Sequence, residues 1–136
     1  TVRPEVKYGE NSRVDFLLSQ NGLPDAYVEV KSVTLSRTRG QAEFPDSVTA
    51  RGTKHMHELA QVARAGHRAV LLYLVQRTDC THVSVAADLD PTYARGAHMA
   101  ARQGVESCAY GTVIDTGGVT LGERLPLGLA FPPEQS

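Results

Sequence analysis

Only two cysteines occur in the 136 residues, Cys80 and Cys108, and neither has a CxxC companion. That spacing argues against a zinc ribbon and against a redox pair, so both are read as buried or free thiols. Charge of one sign is equally scarce: 14 Lys and Arg stand against 15 Asp and Glu, for a net charge of −1 and a pI near 6.5. No global basic field draws in a polyanion, and any nucleic-acid surface has to be local. No apolar run approaches the roughly 20 residues that span a bilayer, and the opening TVRPEVKYGE has no signal-peptide pattern. A cytoplasmic protein without membrane contact is expected. Also missing are a Walker loop, GxGxxG, GxSxG and HExxH, which sets aside most nucleotide-binding, Rossmann, hydrolase-elbow and zincin chemistries. What is present, 41% hydrophobic and 21% charged residues, suits one domain with one core.

The pattern of apolar residues predicts a hairpin followed by helix and strand crossovers. Residues 2–7 and 13–18 read as strands, and Asn21-Gly22 with Pro24-Asp25 breaks the run before a return strand over 26–34. Residues 37–45 read as a polar loop. A helix is expected from Ser47 or Thr49 to Ala65, with Met56, Leu59, Ala60 and Val62 or Ala63 at core spacing and Gly66 as its stop. The run RAVLLYLVQ at 68–76 has the continuous apolar character of a strand buried on both faces. Residues 77–89 read as irregular. Asp90-Pro91 then looks like an N-cap and first helical position, opening a helix to about Gln103 that Gly104 ends. A last strand is expected over 105–114. A Gly- and Pro-rich tail or edge segment follows from Thr116, and Gly117-Gly118 with that tail is the candidate contact for a homodimer. The predicted fold class is α/β, a mixed sheet flanked by helices, in one domain over residues 1–115.

The chemistry is concentrated in YVEVKSV, residues 27–33. Strand alternation puts Tyr27, Glu29 and Lys31 on one face and Val28 and Val30 on the other, the latter pair expected to point into the core. Folding the hairpin symmetrically about Gly22 sets Asp15 opposite Glu29 on the same face, and Arg13 near Lys31. Two adjacent carboxylates repel unless a cation intervenes. Mg²⁺ or Mn²⁺, held by Asp15 and Glu29 with water and a substrate phosphate, resolves the conflict. Lys31 is placed to neutralise charge developing on that phosphate. The set suits metal-assisted phosphodiester hydrolysis, although a solvated strand face with a weak ion pair has the same alternation.

Asp15 followed by Glu29-x-Lys31 resembles the PD-(D/E)xK signature of restriction-endonuclease-like nucleases. Five longer segments carry a more specific likeness: RPEVKYG at 3–9, NSRVDFLL at 11–18, VEVKSVTL at 28–35, FPDSVTARGTKH at 44–55 and GHRAVLL at 66–72. In this order they resemble the sugar fermentation stimulation protein A (SfsA) family of bacteria and archaea. The resemblance implies a DNA-binding protein with a nuclease-like domain, Asp15 and Glu29 as metal ligands and Lys31 as the catalytic charge stabiliser or water-positioning group. It also implies an N-terminal OB-like domain, expected to be absent from this chain because it opens at the first strand of the nuclease-like unit. Glu5 is carried as a weak candidate for a carboxylate that such folds place on a preceding helix. A binding-only regulator of sugar-utilisation genes is the alternative function. DNA is the expected partner, single- or double-stranded.

FPDSVTARGTKH is the second informative stretch. Asp46 or Ser47 is the expected cap, and Thr49, Arg51, Thr53 and Lys54 gather hydroxyls and cations around the first helical turns, where free backbone N–H groups favour a phosphate. Together with Arg13 they form the candidate nucleic-acid contact; ordinary capping with exposed basic residues fits the same pattern. Gln61, two turns on, is a weak candidate for the site. His55 and His57 are two residues apart on a helix and diverge, so they are not read as a chelating pair.

Overall fold

In the computed structural model, which describes residues 2–8 and 12–129, the chain forms two mixed sheets and two helices. The strands are β1 (Val2–Tyr8), β2 (Ser12–Leu18), β3 (Ala26–Val33), β4 (Leu35–Thr38), β5 (Gln41–Phe44), β6 (Arg68–Val75), β7 (His82–Val85), β8 (Glu106–Asp115), β9 (Gly118–Leu125) and β10 (Leu127–Gly128). The helices are α1 (Ala50–Arg64) and α2 (Pro91–Arg102). The larger sheet runs β1-β2-β3-β6-β8-β9 and the smaller one β10-β7-β5-β4. The centre of the larger sheet, β3-β6-β8, is parallel, and its outer pairs are antiparallel. Parallel neighbours need long crossovers, and α1 and α2 lie within the β3–β6 and β6–β8 connections. No helix among the described residues is long and apolar enough to cross a membrane.

The hairpin folds about Gly22, whose positive φ of 83° fits a residue without a Cβ. Phe16, Leu17 and Leu18 pair with Val28, Tyr27 and Ala26, the register expected from the turn. The face assignment is reversed. Leu17, Glu29 and Val33 are buried on the face that also presents Ala69, Leu71, Tyr73 and Val75 of β6. Val28 and Val30 point to the other face, with Val70, Leu72 and Leu74, and all five are half-buried. Apolar residues occupy both faces of β3 and β6, so alternation groups the residues without saying which group the helices cover. The same finding corrects the reading of β6 as buried on both faces.

Three further segments differ from expectation. Residues expected as a loop form β4 and β5, turning at Gly40, and part of the stretch expected to be irregular forms β7 between β5 and β10. Each of these strands has only four residues. Ala42, Val83 and Val85 nevertheless enter the common core. Beyond Thr116, β9 is the edge strand of the larger sheet, and residues 130–136 lie outside the described residues.

Helix α1 buries Met56, Leu59 and Ala60; burying a large apolar side chain of this kind stabilises by about 1.5–3 kcal/mol. Its cap is Thr49 rather than Asp46 or Ser47, with the Thr49 hydroxyl accepting from Gly52 N at 3.0 Å. Gly52 and Gly96 bring the helices together. A Cβ on Gly52 would stand 3.2 Å from the Tyr93 ring, and one on Gly96 would stand 2.9 Å from Met56 Cε.

Asp90 ties the helix starts to each other. Its Oδ1 accepts from Tyr93 N at 3.0 Å, capping α2, and its Oδ2 accepts from Thr49 N at 2.8 Å, at the head of α1. Both bonds are shielded, since Asp90 is only 3% exposed. Asp90→Ala should therefore lower the unfolding free energy by about 1–3 kcal/mol, the cost of a lost cap and an unmet buried donor. Urea denaturation measures it, and Asp90→Asn should lose less.

Candidate metal and phosphate site

The hairpin ladder ends at the pair Phe16–Val28. One residue further along β2, the Asp15 side chain bridges to β3, its Oδ2 accepting from Val30 N at 2.6 Å. A carboxylate thus takes the donor that a strand carbonyl would otherwise satisfy. This holds Asp15 beside the next two side chains on its face of β3, Glu29 and Lys31.

Glu29 is 5% exposed. Its Oε1 lies 3.5 Å from Lys31 Nζ and 3.3 Å from His55 Nδ1, and Nζ and Nδ1 are 3.4 Å apart. Three polar atoms from β3 and α1 therefore form a closed triangle under the helix, next to Leu71 and Tyr73 of β6. Glu29 Oε2 is buried without a hydrogen-bond partner among the described residues. Such an atom forfeits its solvation with nothing in return unless another group supplies a positive charge or a donor.

Desolvation shapes the electrostatics. Burial raises the Glu29 carboxyl above its ordinary value, Lys31 opposes that rise, and the Asp15 carboxylate adds to it. Burial lowers the Lys31 ammonium, opposed by Glu29. His55 is lowered by burial and then by the nearby Lys31 charge. Arg51 sits one turn before His55 on the same helical face, is exposed, and acts on all three groups through its charge. Across the β3–β6 ladder from Lys31, the buried hydroxyls of Tyr73 and Tyr93 meet at 2.6 Å, and burial raises both phenols.

The remaining sequence candidates fall in different places. The side chains of Glu5 and Arg13 lie outside the described residues. Thr49 is committed as the cap of α1, and its N–H is taken by Asp90. Thr53 faces α2, its Cγ2 3.9 Å from where a Cβ of Gly96 would stand. Arg51 and Lys54 are exposed at the start of α1. Gln61 is on the exposed side of α1, whereas Gly52, His55, Met56 and Glu58 are buried. His55 and His57 do diverge, as their spacing requires, yet His55 alone joins the charged pair. Its spacing from Leu59, a core residue four positions on, was the available signal.

Among the described residues no three His, Cys, Asp or Glu side chains are grouped to chelate an ion. The site offers a carboxylate pair and a cation, which matches a hard divalent ion that keeps most of its coordination for water and phosphate. The unpartnered Glu29 Oε2 fits that demand.

A six-stranded mixed sheet with an antiparallel hairpin at one side, a parallel centre and helices on one face defines a restriction-endonuclease-like α/β domain. Residues 1–118 match the sugar fermentation stimulation protein RE domain, and the chain belongs to that family. It is 65% identical over 129 residues to the sugar fermentation stimulation protein homolog of Roseobacter denitrificans, covering 95% of this chain and 55% of that protein. It is 62% identical over 136 residues to the homolog of Dinoroseobacter shibae, covering all of this chain and 56% of that one. The solved structure of Pyrococcus furiosus SfsA in complex with Ca²⁺ superposes with a TM-score of 0.83 at 28% identity, over 92% of this chain and 53% of that one. The chain thus spans about half the length of the curated relatives it matches.

Because the raised Glu29 value already includes the attraction of Lys31, the ionised carboxylate is a net cost to the metal-free fold. That cost is absent below the ordinary value of 4.5 and complete once pH passes the raised folded value. Glu29→Gln should therefore raise the thermal midpoint of metal-free protein at neutral pH, with the gain vanishing in acid. Calorimetry across pH tests this.

Proposed function

We propose that this chain is a divalent-cation-dependent phosphodiester hydrolase domain acting on DNA. The observation that carries the reading is the buried Glu29 Oε2, without a partner among the described residues, on the same face as Asp15, with the Lys31 ammonium 3.5 Å from the other Glu29 oxygen. Two carboxylates on that face favour a cation over a bare polyanion, which they repel. The family relative solved with Ca²⁺ supports a divalent site, and Mg²⁺ or Mn²⁺ is the proposed working ion.

Asp15 and Glu29 would hold the ion. When bound, it supplies Lewis-acid polarisation of a phosphoryl oxygen and a more acidic water. Lys31 adds positive charge where the attacked phosphate gains negative charge, and its burial makes that charge more effective than it is in water. Arg51 and Lys54 stand exposed at the head of α1, Arg51 close enough for its charge to act on the buried cluster, and hold the phosphate backbone by charge. The net charge of −1 leaves them as a small local basic patch, so association should weaken with added salt.

Cleavage of end-labelled single-stranded and duplex DNA with Mg²⁺, Mn²⁺ or EDTA tests the reading. Cutting is expected only with a cation, and Glu29→Gln and Lys31→Ala should each reduce it by about a hundredfold or more. A folded wild-type chain that cuts neither substrate with any cation, or cutting indifferent to both substitutions, overturns it. DNA binding without cutting, measured by fluorescence anisotropy, would then favour the regulator reading.

A further inference from the structure

The two oxygens of Glu29 are in opposite situations. Oε1 has Lys31 Nζ and His55 Nδ1 within 3.5 Å, and Oε2 has no partner among the described residues. Lys31 belongs to the same strand as Glu29 and moves with it. His55 comes from α1, so among the described residues it is the one that ties the carboxylate to a second element.

We propose that His55 is a positioning residue of the site: it holds Glu29 Oε1 from the helix and leaves Oε2 as the oxygen presented to a divalent cation. The proposal rests on the metal reading above and deepens it. The direct tie needs the proton on Nδ1, from which the ring donates to Glu29 Oε1; with the proton on Nε2, Nδ1 accepts from Lys31 Nζ and reaches the carboxylate only through that ammonium, which lies 3.5 Å from the same oxygen. The ring cannot drift, because it is 6% exposed on a helix whose next turn is anchored by Leu59 at 0%. The start of that helix is in turn fixed by Asp90 through Thr49 N. A carboxylate held by one oxygen has its other oxygen fixed in direction, which lowers the ordering cost of ion binding.

The test is direct Mn²⁺ binding, read by electron paramagnetic resonance of the free ion and by calorimetry, on wild type, His55→Ala, His55→Asn and the exposed control His57→Ala. Circular dichroism and thermal melts first establish that each variant folds. His55→Ala should bind about tenfold or more weakly, the usual cost of removing a partner that orients a ligand. His55→Asn, whose amide nitrogen replaces Nδ1 as a donor, should recover part of the affinity, and His57→Ala should match wild type. A folded His55→Ala protein that binds Mn²⁺ as tightly as wild type overturns the positioning role while leaving the metal reading intact. Wild type that binds neither Mn²⁺ nor Ca²⁺ overturns the metal reading and this proposal together.

Discussion

A carboxylate and an ammonium buried on the helix-covered face of a central strand set the terms for this structure. Moving either charge out of water is expensive, and a buried pair breaks even only when its geometry is closely held. At 3.5 Å, Glu29 and Lys31 satisfy each other in part. Valines at the same two positions would spare that expense, which is the physical ground for proposing a site there. The desolvation that raises Glu29 and lowers Lys31 is also what keeps water from screening their charges.

The surrounding architecture holds that face closed. Helix α1 packs on β6 and against α2, meeting the latter at Gly52 and Gly96, where a side chain would collide with Tyr93 or Met56. Asp90 joins the two helix starts through Thr49 and Tyr93. Phe44 adds a bracket from the smaller sheet, its ring centroid 5.6 Å from that of Tyr73 and 5.3 Å from that of Tyr93. At the other side of the smaller sheet, Arg37 fastens β4 to buried Glu43 and to Asp88 ahead of α2, holding the Asp88 carboxyl down to about 2. The Asp90 and glycine contacts lie away from Asp15 and fix the start of α1, the helix that carries Arg51 and His55.

Much of the site was legible because it depends on local rules. Turn chemistry at Asn21-Gly22 sets the register, and the register puts Asp15 on the face of Glu29. Alternation adds Lys31. Asp90-Pro91 announces its helix through capping, and Gly104 closes it with a φ of 103°. The short strands β4, β5 and β7 were not legible, since four residues give too little periodicity and their pairing is supplied by one another. The spacing of His55 from Leu59 signals its burial, whereas its contact with Lys31 spans 24 residues of chain, which no spacing rule within α1 contains.

By itself the sequence determined which residues share a face, where the chain turns, and that Asp15, Glu29 and Lys31 converge, because strand parity, turn geometry and capping act over a few residues. Only the tertiary structure decided which face is buried. Val28 and Val30 are as apolar as any core residue, and the choice went to the face of Glu29 and Lys31 because that is the face α1 covers. The cover buries an alternating charged strand, brings His55 to Glu29, and leaves one carboxylate oxygen without a partner among the described residues. Burial is a property of packing between distant segments, and no local pattern encodes it.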